Sequence, residues 1–206
     1  MRRLLPLTAA LVALAALAAG PPAAPKKDDK AAGPLAPGTN LPGPFHPFNV
    51  TGPFADHFHC PVSDHNLDPG VLVFTRDLEL SPPLRKLLTG LDNAIDKNPA
   101  ARLAATVTFL SDDLPNVVED DDKRDELKAR VQELAKSLGL KHVVLGLDSK
   151  PDVEKYLRGE NVAAAVVLYK KFQIVASHAL PRDQITDART QQILGEVASQ
   201  LGATRK

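Results

Sequence analysis

The sequence predicts an α/β domain: a three-layer sandwich in which a central mixed sheet carries helices on both faces. Three observations point there. Val71–Phe74, Leu103–Leu110 and His142–Leu147 are largely unbroken apolar runs, the pattern of strands buried on both faces. Amphipathic helical repeats separate them, which implies parallel pairing through crossover helices. Val162–Tyr169 and Phe172–Ser177 then follow with only Lys170-Lys171 between them, the spacing of a hairpin, although no favoured turn glycine is present.

Each element has its own signals. Val71–Phe74 leads through Thr75–Ser81 into a helix opened by Pro82-Pro83, where fixed proline φ suits the first turn. Leu84, Leu87, Leu88, Leu91 and Ile95 share one face of that helix, and Asn98-Pro99 ends it. After Leu103–Leu110, the acidic run Glu119–Asp122 favours a helix start through the macrodipole, and Asp112-Asp113 precedes it. Neither acidic group has the alternating ligands and central glycine of a calcium loop. Leu127, Val131, Leu134 and Leu138 then lie on one face, with Gly139 as the stop. A short helix is expected over Pro151–Arg158. A last amphipathic helix carries Ile193, Leu194, Val197 and Leu201, so the order is β-α-β-α-β-α-β-β-α.

The segments before Val71 are of another kind. Residues 1–19 have the layout of an export signal: Arg2 and Arg3, the uncharged apolar stretch Leu4–Leu17, and small residues at Ala16-Leu17-Ala18. The apolar stretch is short for a bilayer span, so cleavage near Ala19 and a periplasmic or secreted location are expected, with no membrane span beyond the signal segment. Residues 20–44, rich in proline, alanine and glycine, read as a flexible linker. Residues 45–70 read as an irregular arm holding most of the histidines, and 71–202 as the domain. Among 206 residues, 25 basic side chains balance 25 acidic ones with no basic stripe, so a nucleic-acid partner is not expected. A single cysteine excludes an internal disulfide.

The order of elements, and the stretch His142–Leu201 in particular, resembles the thioredoxin fold, in which a third strand, a short helix, an antiparallel hairpin and a last helix follow one another. The resemblance covers about 130 residues and rests on order alone. It implies a dithiol motif after the Val71–Phe74 strand, yet Leu78-Glu79-Leu80-Ser81-Pro82-Pro83 holds no sulfur. It also implies a cis-proline before the hairpin, yet Asn161-Val162-Ala163-Ala164-Ala165 holds no proline. Cys60-Pro61-Val62-Ser63 is similar to a Cys-Pro-x-Cys motif whose second cysteine has become serine, as in exported bacterial thioredoxin-like proteins.

The run His57–His65 concentrates the candidate chemistry. With Cys60 as the cap of a short turn and Pro61 at its first position, the thiol would meet unpaired amides, and a protonated His59 or His57 would acidify it further. Such a monothiol, with Ser63 in place of a resolving cysteine, attacks a disulfide but cannot release the product alone. A buried, inert cysteine is the alternative. A third reading makes His57, His59, Cys60 and His65, with His46 or Asp64, ligands for zinc or copper, although the spacing matches no established signature. His142 and His178 read as strand-end histidines. No phosphate loop, nucleophile elbow or His-Glu-x-x-His is present. The expectation is therefore an exported module that binds a protein or peptide partner without a cofactor. Redox chemistry at Cys60 and metal binding along His57–His65 stand as alternatives.

Overall fold

The computed structural model describes residues 33–110, 120–149 and 153–203. The signal segment, Asp112, Asp113 and Glu119 lie outside them. Six strands form one sheet: β1 (Phe48–Asn49), β2 (Gly70–Thr75), β3 (Ala104–Leu110), β4 (Val144–Asp148), β5 (Val162–Lys170) and β6 (Gln173–Pro181). Their order is β1-β4-β3-β2-β5-β6. β2, β3 and β4 run parallel, whereas β5 is antiparallel to β2, β6 to β5 and β1 to β4. The parallel trio follows from the two helical crossovers, and the antiparallel pair from the short turn.

Strand alternation sorts the core into two clusters. Val71 and Val73 of β2, Val107 and Phe109 of β3 and Leu145 of β4 belong to one. It is completed by α2 (Pro82–Lys97) through Leu84, Leu87, Leu88 and Leu91, α3 (Asp121–Leu138) through Val131 and Leu134, and α4 (Asp187–Ala203) through Ile193, Val197 and Leu201. Leu72 and Phe74 belong to the other cluster, with Phe45, Cys60 and Val62 of the arm and Val153, Tyr156 and Leu157. The second face is thus closed by the arm, by the five-residue α1 (Pro61–His65) and by a turn at 153–157. In that turn the Tyr156 and Leu157 amides donate to the Val153 carbonyl. Residues 151 and 152 of the expected short helix lie outside the described residues.

Local signals set the helix ends as expected. α2 starts at Pro82 and stops before Asn98-Pro99. The Asp120 carboxylate caps α3 by accepting from the Lys123 amide at 3.1 Å, and Gly139 ends it in the left-handed region at φ 64°. The hairpin differs from expectation. Its turn residues are Lys171 and Phe172, both left-handed at φ 53° and 62°, the pairing a two-residue turn of matching twist requires even without glycine.

The expected linker is shortened by the structure. Residues 35–41, assigned to it by composition, run along β6. The Gly38 amide donates to the Ile174 carbonyl at 2.8 Å, Ile174 donates to Thr39 at 2.8 Å, and Leu41 donates to Phe172 at 2.8 Å. Leu35 is buried, and its amide donates to Ser177 Oγ at 3.1 Å. Pro37 and Gly38 form a turn beside the edge strand β6, where composition alone reads a tether.

Candidate functional site

At the carboxyl end of β2 the chain passes through Arg76–Ser81 into α2. The loop is held by Arg76 Nε donating to the Val162 carbonyl at 3.1 Å and by an Asp77–Arg182 ion pair at 2.8 Å. Ser81 precedes α2 with its hydroxyl buried and without a hydrogen-bond partner. Between this loop and α3 lies an open groove of about 310 Å³ lined by Leu78, Glu79, Arg85 and Arg130. A sulfur nucleophile is absent from this end of the sheet, and the described backbone holds no cis peptide bond.

The single cysteine lies elsewhere. Cys60 is the N-cap of α1 with Pro61 in the first turn, the arrangement the sequence favoured. The thiol nevertheless makes no capping hydrogen bond and is only 4 % exposed, within the cluster of Phe45, Leu72, Tyr156 and Tyr169. Burial pushes both phenols well above the ordinary tyrosine range, and the proximity of Cys60 adds to it. The Tyr156 hydroxyl donates to the Gly43 carbonyl. Cys60 is thus surrounded by rings that remain neutral, a setting for a small apolar side chain.

The neighbouring histidines diverge. His57 is exposed, with Nδ1 2.9 Å from the Ala55 carbonyl. His46 is exposed as well. The His59 ring stacks on Phe54, centroids 3.7 Å apart at 15°, and its buried Nε2 lies 3.6 Å from Asp64 Oδ1, beyond hydrogen-bond distance. Burial holds the His65 imidazole below its ordinary pKa, with Asp64 and Asp68 opposing and His59 adding to the effect. The structure therefore does not bring His57, His59, Cys60 and His65 onto one centre. Among the described residues no group of three or more His, Cys, Asp or Glu side chains is placed to hold a metal ion.

What His59, Asp64 and His65 do share is a cavity of about 300 Å³ between the arm and the leading ends of β3 and β4. Its polar lining also includes Asn49, Asp68, Arg102, Thr106 and His142. Of these five, the sequence singled out only His142, as a strand-end residue. Asn49 and Arg102 gave no signal, since each belongs to a segment that meets the others only after the sheet has formed. This cavity sits at the amino ends of the parallel strands, opposite the end where a thioredoxin carries its dithiol.

No protein-family model and no curated protein matches the sequence. Solved structures do match. A protein of Chlorobium tepidum assigned as a thiol:disulfide interchange protein DsbE is 15% identical, with TM-score 0.56 over 81% of this chain and 99% of that one. An uncharacterized conserved protein from Geobacillus kaustophilus is 11% identical, with TM-score 0.57 over 83% and 86%. A secreted Mycobacterium tuberculosis disulfide oxidoreductase homologous to DsbE of E. coli is 16% identical, with TM-score 0.50 over 75% and 95%. At such identities the likeness speaks for architecture and not for chemistry. The mixed sheet, its helical crossovers and its closing hairpin and helix give this chain the thioredoxin-like fold.

Proposed function

We propose that the protein is an exported thioredoxin-fold module that holds a protein or peptide partner and carries no dithiol exchange at the position after β2. The observation that carries this reading is the placement of sulfur: none at the carboxyl end of β2, and the only thiol 4 % exposed among apolar and aromatic side chains. Disulfide exchange requires the attacking sulfur to reach its target in line, and a thiol buried to this degree among apolar and aromatic side chains is withheld from one. Export rests on Arg2-Arg3 and the apolar stretch Leu4–Leu17. Among the described residues no helix is long and apolar enough to cross a membrane.

The test is alkylation of Cys60 in the folded protein, with and without a chelator, against the same protein in denaturant. Labelling confined to the denatured state is expected. Rapid labelling of the native protein near neutral pH would replace this reading with a monothiol redox protein using Cys60 and His59. Labelling released by the chelator would replace it with zinc or copper binding along His57–His65.

A further inference from the structure

We propose that the cavity between the arm and the leading ends of β3 and β4 binds an organic ammonium group carried on a short apolar body. The source is either a free small amine or the lysine side chain of a partner. The proposal is independent of how Cys60 behaves.

The first observation is an acceptor without a donor. Asn49 lines the cavity and is only 3 % exposed. Its backbone is fully used: its amide donates to the His57 carbonyl at 3.0 Å, and its carbonyl accepts from the Asp56 amide at 2.8 Å. Its side-chain Oδ1 is buried with no hydrogen-bond partner. Buried polar atoms are almost always paired, and this one, like His59 Nε2 on the same lining, finds no partner within the described residues, which leaves room for a donor supplied from outside the chain.

The second observation is charge. Two carboxylates, Asp64 and Asp68, and one guanidinium, Arg102, line the cavity. Arg102 Nε is committed to Asp68 Oδ2 at 2.7 Å. The Asp64 carboxylate lies 3.6 Å from the His59 ring and acts on the neighbouring His65 as well. His142 is turned to Asp96 at 3.2 Å, and burial keeps His65 toward its neutral form. Leaving histidine protonation aside, the lining carries a net single negative charge, which disfavours an anion and suits a monocation.

Shape narrows the class. The volume is at the small end for a ligand site, and Phe54, stacked on His59, joins Pro61, Leu103 and Val144 to supply an apolar wall. The free acceptors, the Asn49 amide oxygen and the Asp64 carboxylate, stand on separate elements, so a ligand that meets both does so through oxygens that do not share one plane. A compact ammonium with three rotatable donors matches such oxygens better than a guanidinium does.

The experiment is a titration of the isotope-labelled protein followed by amide NMR, with four probes: n-butylammonium, Nα-acetyl-lysine methylamide, n-butanol and butyrate. Saturable shifts with at least one ammonium probe, centred on the Asn49 side-chain amide and the backbone of Asp64 and Thr106, are expected. If n-butylammonium saturates at least as tightly as the lysine amide, the natural ligand is a free amine. If only the lysine amide saturates, it is a partner's side chain. Asp64→Asn, an exposed change, is expected to weaken binding about ten-fold, and Asn49→Ala to abolish the shifts in a protein whose other resonances are retained. Absence of saturation with both ammonium probes, or an equal response to n-butanol or butyrate, would overturn the proposal. Undiminished affinity in Asp64→Asn would do the same, even if Asn49→Ala failed to fold.

Discussion

Replacing Asp92 by asparagine tests whether a single carboxylate ties α2 to the start of β4. Asp92 Oδ1 accepts three backbone N–H groups, from Lys141 at 3.0 Å, His142 at 2.7 Å and Val143 at 2.9 Å. Burial opposes its ionisation, but these three donors and the nearby His142 outweigh burial and hold the carboxyl below the ordinary range. The asparagine oxygen can keep the same three partners, while the charge is lost and the other oxygen becomes an NH2 group. A hydrogen bond to a charged group is worth roughly 1.5–3 kcal/mol against about 1 kcal/mol for a neutral one. Three such differences, reduced by the cost of burying the charge, leave a loss of about 1–2 kcal/mol at neutral pH. In urea unfolding that lowers the midpoint by roughly 0.5–1 M for an ordinary m-value. Because the folded-state pKa is depressed, the contribution is complete above the unfolded value near 3.9 and is lost as pH falls through the lower folded one. The difference between the two proteins should therefore be constant from about pH 5 to 8 and shrink on acidification below about pH 4. A difference that persists unchanged into acid would refute the carboxylate bracket.

Gly70 faces Tyr169 across the β2–β5 ladder, and a Cβ there would lie 2.3 Å from the tyrosine ring. Gly70→Ala is expected to cost about 1–3 kcal/mol by forcing the buried ring aside, read as a lowered melting temperature, and a smaller residue at 169 should recover part of it. Replacing Lys171-Phe172 by Asn-Gly relieves two left-handed non-glycine residues. It should raise stability by about 1 kcal/mol or more in chemical denaturation; a loss would mean that Phe172 contributes packing that outweighs its backbone strain.

The sheet and its helices were legible because their signals are local. The proline pair before α2, the glycine after α3 and the buried apolar runs each act within a few residues. The segment before β2 was not, since its order comes from partners far along the chain: Leu35 is fixed by Ser177, Phe45 by Phe74 and Tyr156. The hairpin turn slipped by one residue because no glycine marked its centre. At the site, the capping geometry of Cys60 could be read from Pro61, whereas its burial depends on Tyr156 and Tyr169, which nothing near Cys60 announces. The cavity was illegible for the same reason. Asn49, Asp64, Arg102 and His142 are dispersed in sequence and meet only through strand order.

The stretch 38–49 reaches both borders of the sheet. Residues 38–41 lie against β6, while Phe48 and Asn49 pair with β4 and Phe48 bridges Phe58 beyond them. This makes the order of synthesis consequential. The segment precedes every strand it borders, yet Gly38 and Thr39 find their partner, Ile174, on the last strand to appear, so that part of it closes only when the hairpin is complete. Its closure then covers the start of the β6 border and part of the β4 border. A chain cut between Leu41 and Phe45 after folding would bare the β6 border alone, and self-association through that border is its natural fate.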